Sequence, residues 1–167
     1  MTVYLEAIRD GMSATVPELR EILPGNTLFV PEGSCVLSNR SAHFVSKGFS
    51  TCSAIIMKST WANLQGLFHV YPGEDLSPEN EHLHELRESQ AILVAGSAST
   101  PKKRILETLK STYAIRIVSV RSVDTLRPGK GTRLEQEYPF HVVYRPDTNE
   151  IVVARISHGD VLTLGGF

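Results

Sequence analysis

From residue 28 onward the chain reads as short apolar runs separated by Gly, Pro, Ser and Asn. Residues 28–30, 35–37, 43–45, 52–57 and 67–70 are rich in β-branched and aromatic side chains and bounded by turn formers, which predicts strands. Ser77-Pro78-Glu79 opens a predicted helix that runs to about residue 88. Ile92-Leu93-Val94-Ala95 is an unbroken apolar run and reads as a buried strand. Thr100-Pro101-Lys102 caps the next helix, whose Ile105, Leu106, Leu109 and Tyr113 share one side while Lys102, Lys103, Glu107 and Lys110 fall elsewhere. Residues 115–120 form a β-branched strand. Residues 140–144 and 151–154 flank Pro146-Asp147-Thr148-Asn149, a hairpin signal, and 161–164 is a last short strand.

The start of the chain differs in style. Thr15-Val16-Pro17-Glu18-Leu19 reads as a helix start, ended by Pro24-Gly25. The expected organisation is an N-terminal helical extension over 1–26 and a single compact domain over 27–167. Strands outnumber helices, and the helices sit mainly in the middle. That pattern suits an α+β domain with a largely antiparallel sheet core and flanking helices.

Composition adds bounds. The 167 residues are enough to bury a core without disulfides or a structural metal. With 17 basic and 18 acidic residues the net charge is -1, so nothing global draws the chain to nucleic acid. No apolar run approaches the roughly 20 residues of a membrane span. The first residues are neither a secretory signal nor an Arg-rich transit peptide, so cytoplasmic synthesis is the default expectation. Secretion as an effector or toxin, by a route without a cleavable signal, is the other.

Two cysteines and six histidines supply the candidate chemistry. A thiol near pH 7 needs a base, and an adjacent imidazole can take its proton and later return it to a leaving group. Cys52 follows Gly48-Phe49-Ser50-Thr51, small and polar residues of the kind that let backbone N–H groups approach an oxyanion. His69 comes 17 residues later, near the end of the next apolar run. If the two runs pair as a hairpin, Cys52 and His69 become neighbours across it. By itself a strand cysteine is more often a small buried hydrophobe. Cys35, in Gly33-Ser34-Cys35-Val36, reads as such a packed residue.

The remaining signals read as structural. His82 and His84 are spaced for different faces of a helix. His141 reads as a hydrogen-bonded core or edge residue and His158 as a turn residue. Pro128-Gly129-Lys130-Gly131-Thr132 lacks the spacing and context of a phosphate loop. Lys102-Lys103-Arg104 reads as a wet helix face. No zinc-like spacing or dinucleotide fingerprint is present, so neither a metal nor a cofactor is expected.

In order and spacing, the stretch from about residue 28 to residue 164 resembles the CheD family of bacterial chemoreceptor glutamine deamidases. The family shares its core chemistry with the catalytic domain of cytotoxic necrotizing factor toxins. Ser46 stands six residues before Cys52, where the family has Thr. Ser50-Thr51-Cys52 stands for its Gly-Ser-Cys, and Gln65-Gly66-Leu67-Phe68-His69-Val70-Tyr71-Pro72 for its His-bearing strand. Leu93-Val94-Ala95-Gly96-Ser97-Ala98 and the hairpin Tyr144 to Val153 resemble later family elements. The resemblance implies a β-sandwich-like, CheD-like fold and a Cys52–His69 catalytic pair. Ser46 would orient the imidazole or bind the substrate amide, and Ser50, Thr51 and Ser53 would lie at the oxyanion and substrate-positioning site.

The expected activity is that of a protein-glutamine glutaminase, converting Gln to Glu through a thioester. Its partner would be a target protein carrying a reactive Gln: a chemoreceptor in chemotaxis, or a regulatory protein if the chain is exported. A regulatory partner protein is a further expectation. The alternatives are a non-catalytic protein-binding module of the same fold and another thiol hydrolase or transglutaminase.

Overall fold

The computed structural model describes residues 27–39, 42–49, 51–72, 76, 81–96, 102–122, 140–155 and 160–167. The expected extension over 1–26, the helix start at Ser77-Pro78, the Thr100-Pro101 cap, the 128–132 loop, His158 and Ser50 lie outside the described residues, as does the His82 side chain.

Among the described residues, ten strands and two helices follow in the order β1 (Thr27–Phe29), β2 (Cys35–Ser38), β3 (His43–Phe49), β4 (Ser53–Lys58), β5 (Gln65–Val70), α1 (Glu81–Glu85), β6 (Gln90–Ala95), α2 (Lys103–Ser111), β7 (Arg116–Ser122), β8 (Phe140–Arg145), β9 (Glu150–Arg155) and β10 (Asp160–Gly165). They build two five-stranded sheets, ordered β1-β3-β8-β9-β10 and β2-β5-β4-β6-β7. The fold is mainly β with few helices, compatible with the α+β expectation. Each sheet is mixed rather than wholly antiparallel, because β1 runs parallel to β3 and β6 parallel to β7. The second case follows from connectivity: α2 lies between β6 and β7, and a helical crossover returns the chain in the same direction.

Strand alternation sorts the apolar side chains into two cores. Phe44, Phe49, Phe140, Val142, Tyr144, Ile151 and Val153 of the first sheet meet Ala54, Ile56, Leu67, Ile92 and Val94 of the second. The other face of the second sheet presents Ile55, Met57, Phe68, Val70 and Leu93 to Leu83 and Leu86 around α1 and to Ile105, Leu109 and Tyr113 around α2. The layers are therefore sheet, sheet, helices. The face of α2 expected to be apolar is the one that packs, with Ile105 and Leu109 buried. Lys102 is the N-cap and makes no side-chain cap hydrogen bond, so packing rather than capping holds this helix end.

Two local devices position His69 and the side chains around it. β4 and β5 pair antiparallel, Ser53 opposite Val70 and Ala54 opposite His69, through a turn over residues 59–64. In β3, Gly48 adopts φ +85 and the pairing with β8 shifts between Lys47 and Phe49. A left-handed residue is cheap only for glycine, and the extra residue of a bulge reverses which face the next side chain takes. Phe49 thereby turns inward, like Phe44 and Ser46, instead of outward. No helix among the described residues is long and apolar enough to cross a membrane.

Candidate functional site

The site lies between the sheets at the end of β5. His69 is fully buried. Its backbone is held on both sides, the N–H by the Ser34 carbonyl at 3.0 Å and the carbonyl by the Gly33 N–H at 2.9 Å. Phe49 stacks on the imidazole with ring centroids 3.8 Å apart and planes 16° from parallel. From the facing sheet, Ser46 Oγ sits 2.8 Å from His69 Nδ1 and donates to the Val30 carbonyl at 2.7 Å.

The tautomer follows from proton counting. A serine hydroxyl has one proton, and a carbonyl oxygen can only accept. Ser46 gives its proton to Val30, so it must accept from Nδ1–H. In neutral His69 the lone pair is then on Nε2, which has no hydrogen-bond partner among the described residues. Burial also lowers the imidazole pKa from 6.5 to about 4. A positive charge between two apolar layers loses its hydration, so the ring is neutral at pH 7.

Cys52 lies one residue before β4, is 8% exposed, and belongs to the core between the sheets. Ala54, on the same face, pairs with His69, so Cys52 and His69 are diagonal neighbours on one side of the ladder. The Cys52 carbonyl accepts from the Gly96 N–H at 3.0 Å, which ties this strand end to the end of β6. Thr51 is exposed, and so is Tyr71, which sets the position at the rim of the sandwich.

The sequence-derived site residues thus divide. Ser46 of the first sheet faces the layer of the second that carries Cys52 and His69. Thr51 sits at the rim beside them. Ser53 alternates to the opposite face with Ile55 and Met57, where its buried Oγ has no partner among the described residues, so only its backbone is adjacent to Cys52. Cys35 faces away as well. It packs on the helix-side core, where burial and then the Glu85 charge push its thiol up to about 12.

Two features escaped the sequence reading. Phe49 is a ring partner of His69 only because of the bulge at Gly48, for which the glycine was the one visible signal. The Val30 carbonyl, which sets the tautomer, has no sequence signal at all. His141 also departs from expectation. It is 3% exposed on the other face of the first sheet, and neither ring nitrogen has a hydrogen-bond partner among the described residues. Burial and then the charge of Lys47 lower its pKa to about 4. His84 lies exposed on α1, as expected, with its ring edge toward Tyr113 at 5.0 Å.

A scan against models of protein families found no match to this chain, and a search of curated proteins found none either.

Proposed function

We propose that the protein is a cysteine-dependent protein glutamine deamidase with Cys52 as nucleophile and His69 as general base. The observation that carries this reading is the Ser46 bond to Nδ1, which leaves Nε2 of a neutral imidazole as an acceptor with no partner among the described residues, in the layer between the sheets that also holds Cys52.

In this reading Nε2 takes the Cys52 Sγ proton as sulfur attacks the side-chain carboxamide carbon of a Gln. The tetrahedral intermediate collapses as Nε2–H protonates the departing nitrogen, releasing ammonia and leaving a thioester. His69 then takes a proton from water, which attacks the thioester carbon. Breaking the C–S bond and returning a proton to sulfur gives Glu and the free thiol. Stacking on Phe49 and the bond to Ser46 hold the ring in one orientation through both half-reactions. A primary amine in place of water would give transglutamination as a side activity. The target would be a protein with an exposed Gln, since the pair sits at a rim.

A second reading is favoured by one observation. Cys52 is 8% exposed, the burial expected of a packed residue in a non-catalytic binding module.

Alkylation of each cysteine between pH 6 and 8, followed by peptide mass spectrometry, separates the two. The enzyme reading expects Cys52 to be modified, and more slowly in His69→Ala at equal folded fraction. An inert Cys52, or a rate indifferent to His69, overturns it in favour of the binding module. The substrate class is then tested by scanning candidate proteins for the Gln-to-Glu mass change, absent with Cys52→Ala.

A further inference from the structure

The second sheet ends, among the described strands, at β7, which pairs only with β6. An edge strand presents unpaired N–H and C=O groups and is a ready template for another chain. Natural edges are blunted with charge and short length, yet β7 is seven residues long and exposes Val118 at 40% and Val120 at 43%. Val118 is the extra residue where the register with β6 shifts between Ala91 and Ile92. Val120 instead lines a groove of about 560 Å³ between α2 and β7, with Leu106, Ile115 and Ile117 as its apolar walls and Lys110, Arg116 and Glu107 also lining it.

Charge indicates the occupant. Residues 102–122 hold six basic side chains and one acidic one, in a chain whose net charge is -1. The acidic one, Glu107, already lies 3.9 Å from Lys103. A second copy would bring the same basic set, Arg116 and Arg121 included, against itself, and like charges brought together across a ladder destabilise it.

We propose that the edge of the second sheet formed by β7, with its groove, binds an extended acidic segment of a partner protein, added as a sixth strand beside the described five. Main-chain bonds along the edge would supply affinity. Alternate apolar side chains would enter the groove beside Val120, and carboxylates would meet Lys110 and Arg116. The proposal does not depend on the chemistry at Cys52. It does give the edge a direction, because Ser122 pairs with Ala95 and Ala95 with Ser53. A strand bound along β7 therefore ends at the rim where Cys52 lies, about three strand spacings, or ~14 Å, from β4.

The probe is a capped peptide of alternating Val and Glu, with its Val/Lys counterpart as control, titrated against the whole protein by fluorescence anisotropy. The expected result is saturable binding of the Val/Glu peptide, weakened by added salt, with amide NMR shifts concentrated on β7. Arg116→Glu and Val120→Asp should each weaken it about tenfold or more, with unchanged circular dichroism. Both positions are exposed, so both variants are expected to fold. Absence of binding, equal binding of the Val/Lys peptide, or binding indifferent to both variants overturns the proposal and leaves the basic residues as edge protection alone. A dimer in sedimentation that Val120→Asp dissociates overturns it in favour of a second copy.

Discussion

Ser46 and His69 come from different sheets, yet the Ser46 hydroxyl accepts a hydrogen bond from Nδ1 of His69 at 2.8 Å while donating to the Val30 carbonyl at 2.7 Å. The facing layer thereby decides which nitrogen of a buried imidazole carries the proton. Removing that hydroxyl should act on both stability and chemistry. Ser46→Ala leaves Nδ1–H and the Val30 carbonyl buried without it, at a cost of about 1–3 kcal/mol. On the enzyme reading it also lowers kcat at least tenfold with little change in KM, because the imidazole loses its fixed tautomer. Ser46→Thr keeps the hydroxyl and should recover most of the activity. Urea unfolding and steady-state ammonia release check the two effects separately.

The two buried histidines predict a pH dependence with a definite sign. His69 and His141 both fall from 6.5 to about 4 on burial. Between those values the unfolded chain binds protons that the folded chain refuses, so stability is complete above pH 6.5 and declines as pH falls toward 4. Each contributes on the order of 3 kcal/mol across that window. Urea midpoints at pH 7.5, 6 and 5 should fall in that order, with a shallower fall in His141→Phe.

The two cysteines should separate cleanly. Cys35, held on the helix side with its thiol pushed up to about 12, should resist alkylation below pH 9 in the folded protein. On the enzyme reading, Cys35→Ala should leave deamidation intact, whereas Cys52→Ala should abolish it without unfolding the domain. Peptide mass spectrometry reads the first outcome and ammonia release the second.

Phe49→Leu keeps an apolar side chain but removes the ring that stacks on His69. A cost of about 1–2 kcal/mol is expected from the lost volume and stacking. On the enzyme reading the freed imidazole should also lower kcat several-fold. Gly48→Ala should reproduce part of the same loss from a distance. It strains φ +85 and brings a Cβ 2.9 Å from Glu32 Oε1, disturbing the bulge that aims Phe49. Thermal melts with kcat measured on the same preparations test whether the two variants share one cause.

A tight hairpin limits the ways two strands can pair, and this is why the β4–β5 pairing was legible in the sequence. The apolar runs, the turn formers between them and the alternation of faces place Ala54 opposite His69 and Cys52 on the same side. The same local logic found the apolar face of α2, the hairpin at 146–149 and the buried run of β6. These are short-range properties, carried by periodicity and turn chemistry within a few residues.

What only the tertiary structure decided are the relations between layers. Which cysteine faces the facing sheet and which faces the helices depends on sheet stacking, which leaves no period in the sequence. Ser46 meets His69 because β3 lies across from β5, and Phe49 joins them because one glycine shifts the parity of a strand. The tautomer depends on a backbone carbonyl, a group every residue carries, so no residue type could announce it. Local patterns set the strands and their faces, because side-chain alternation is intrinsic to the backbone. The site itself arises where two such faces close on each other, and that contact is non-local.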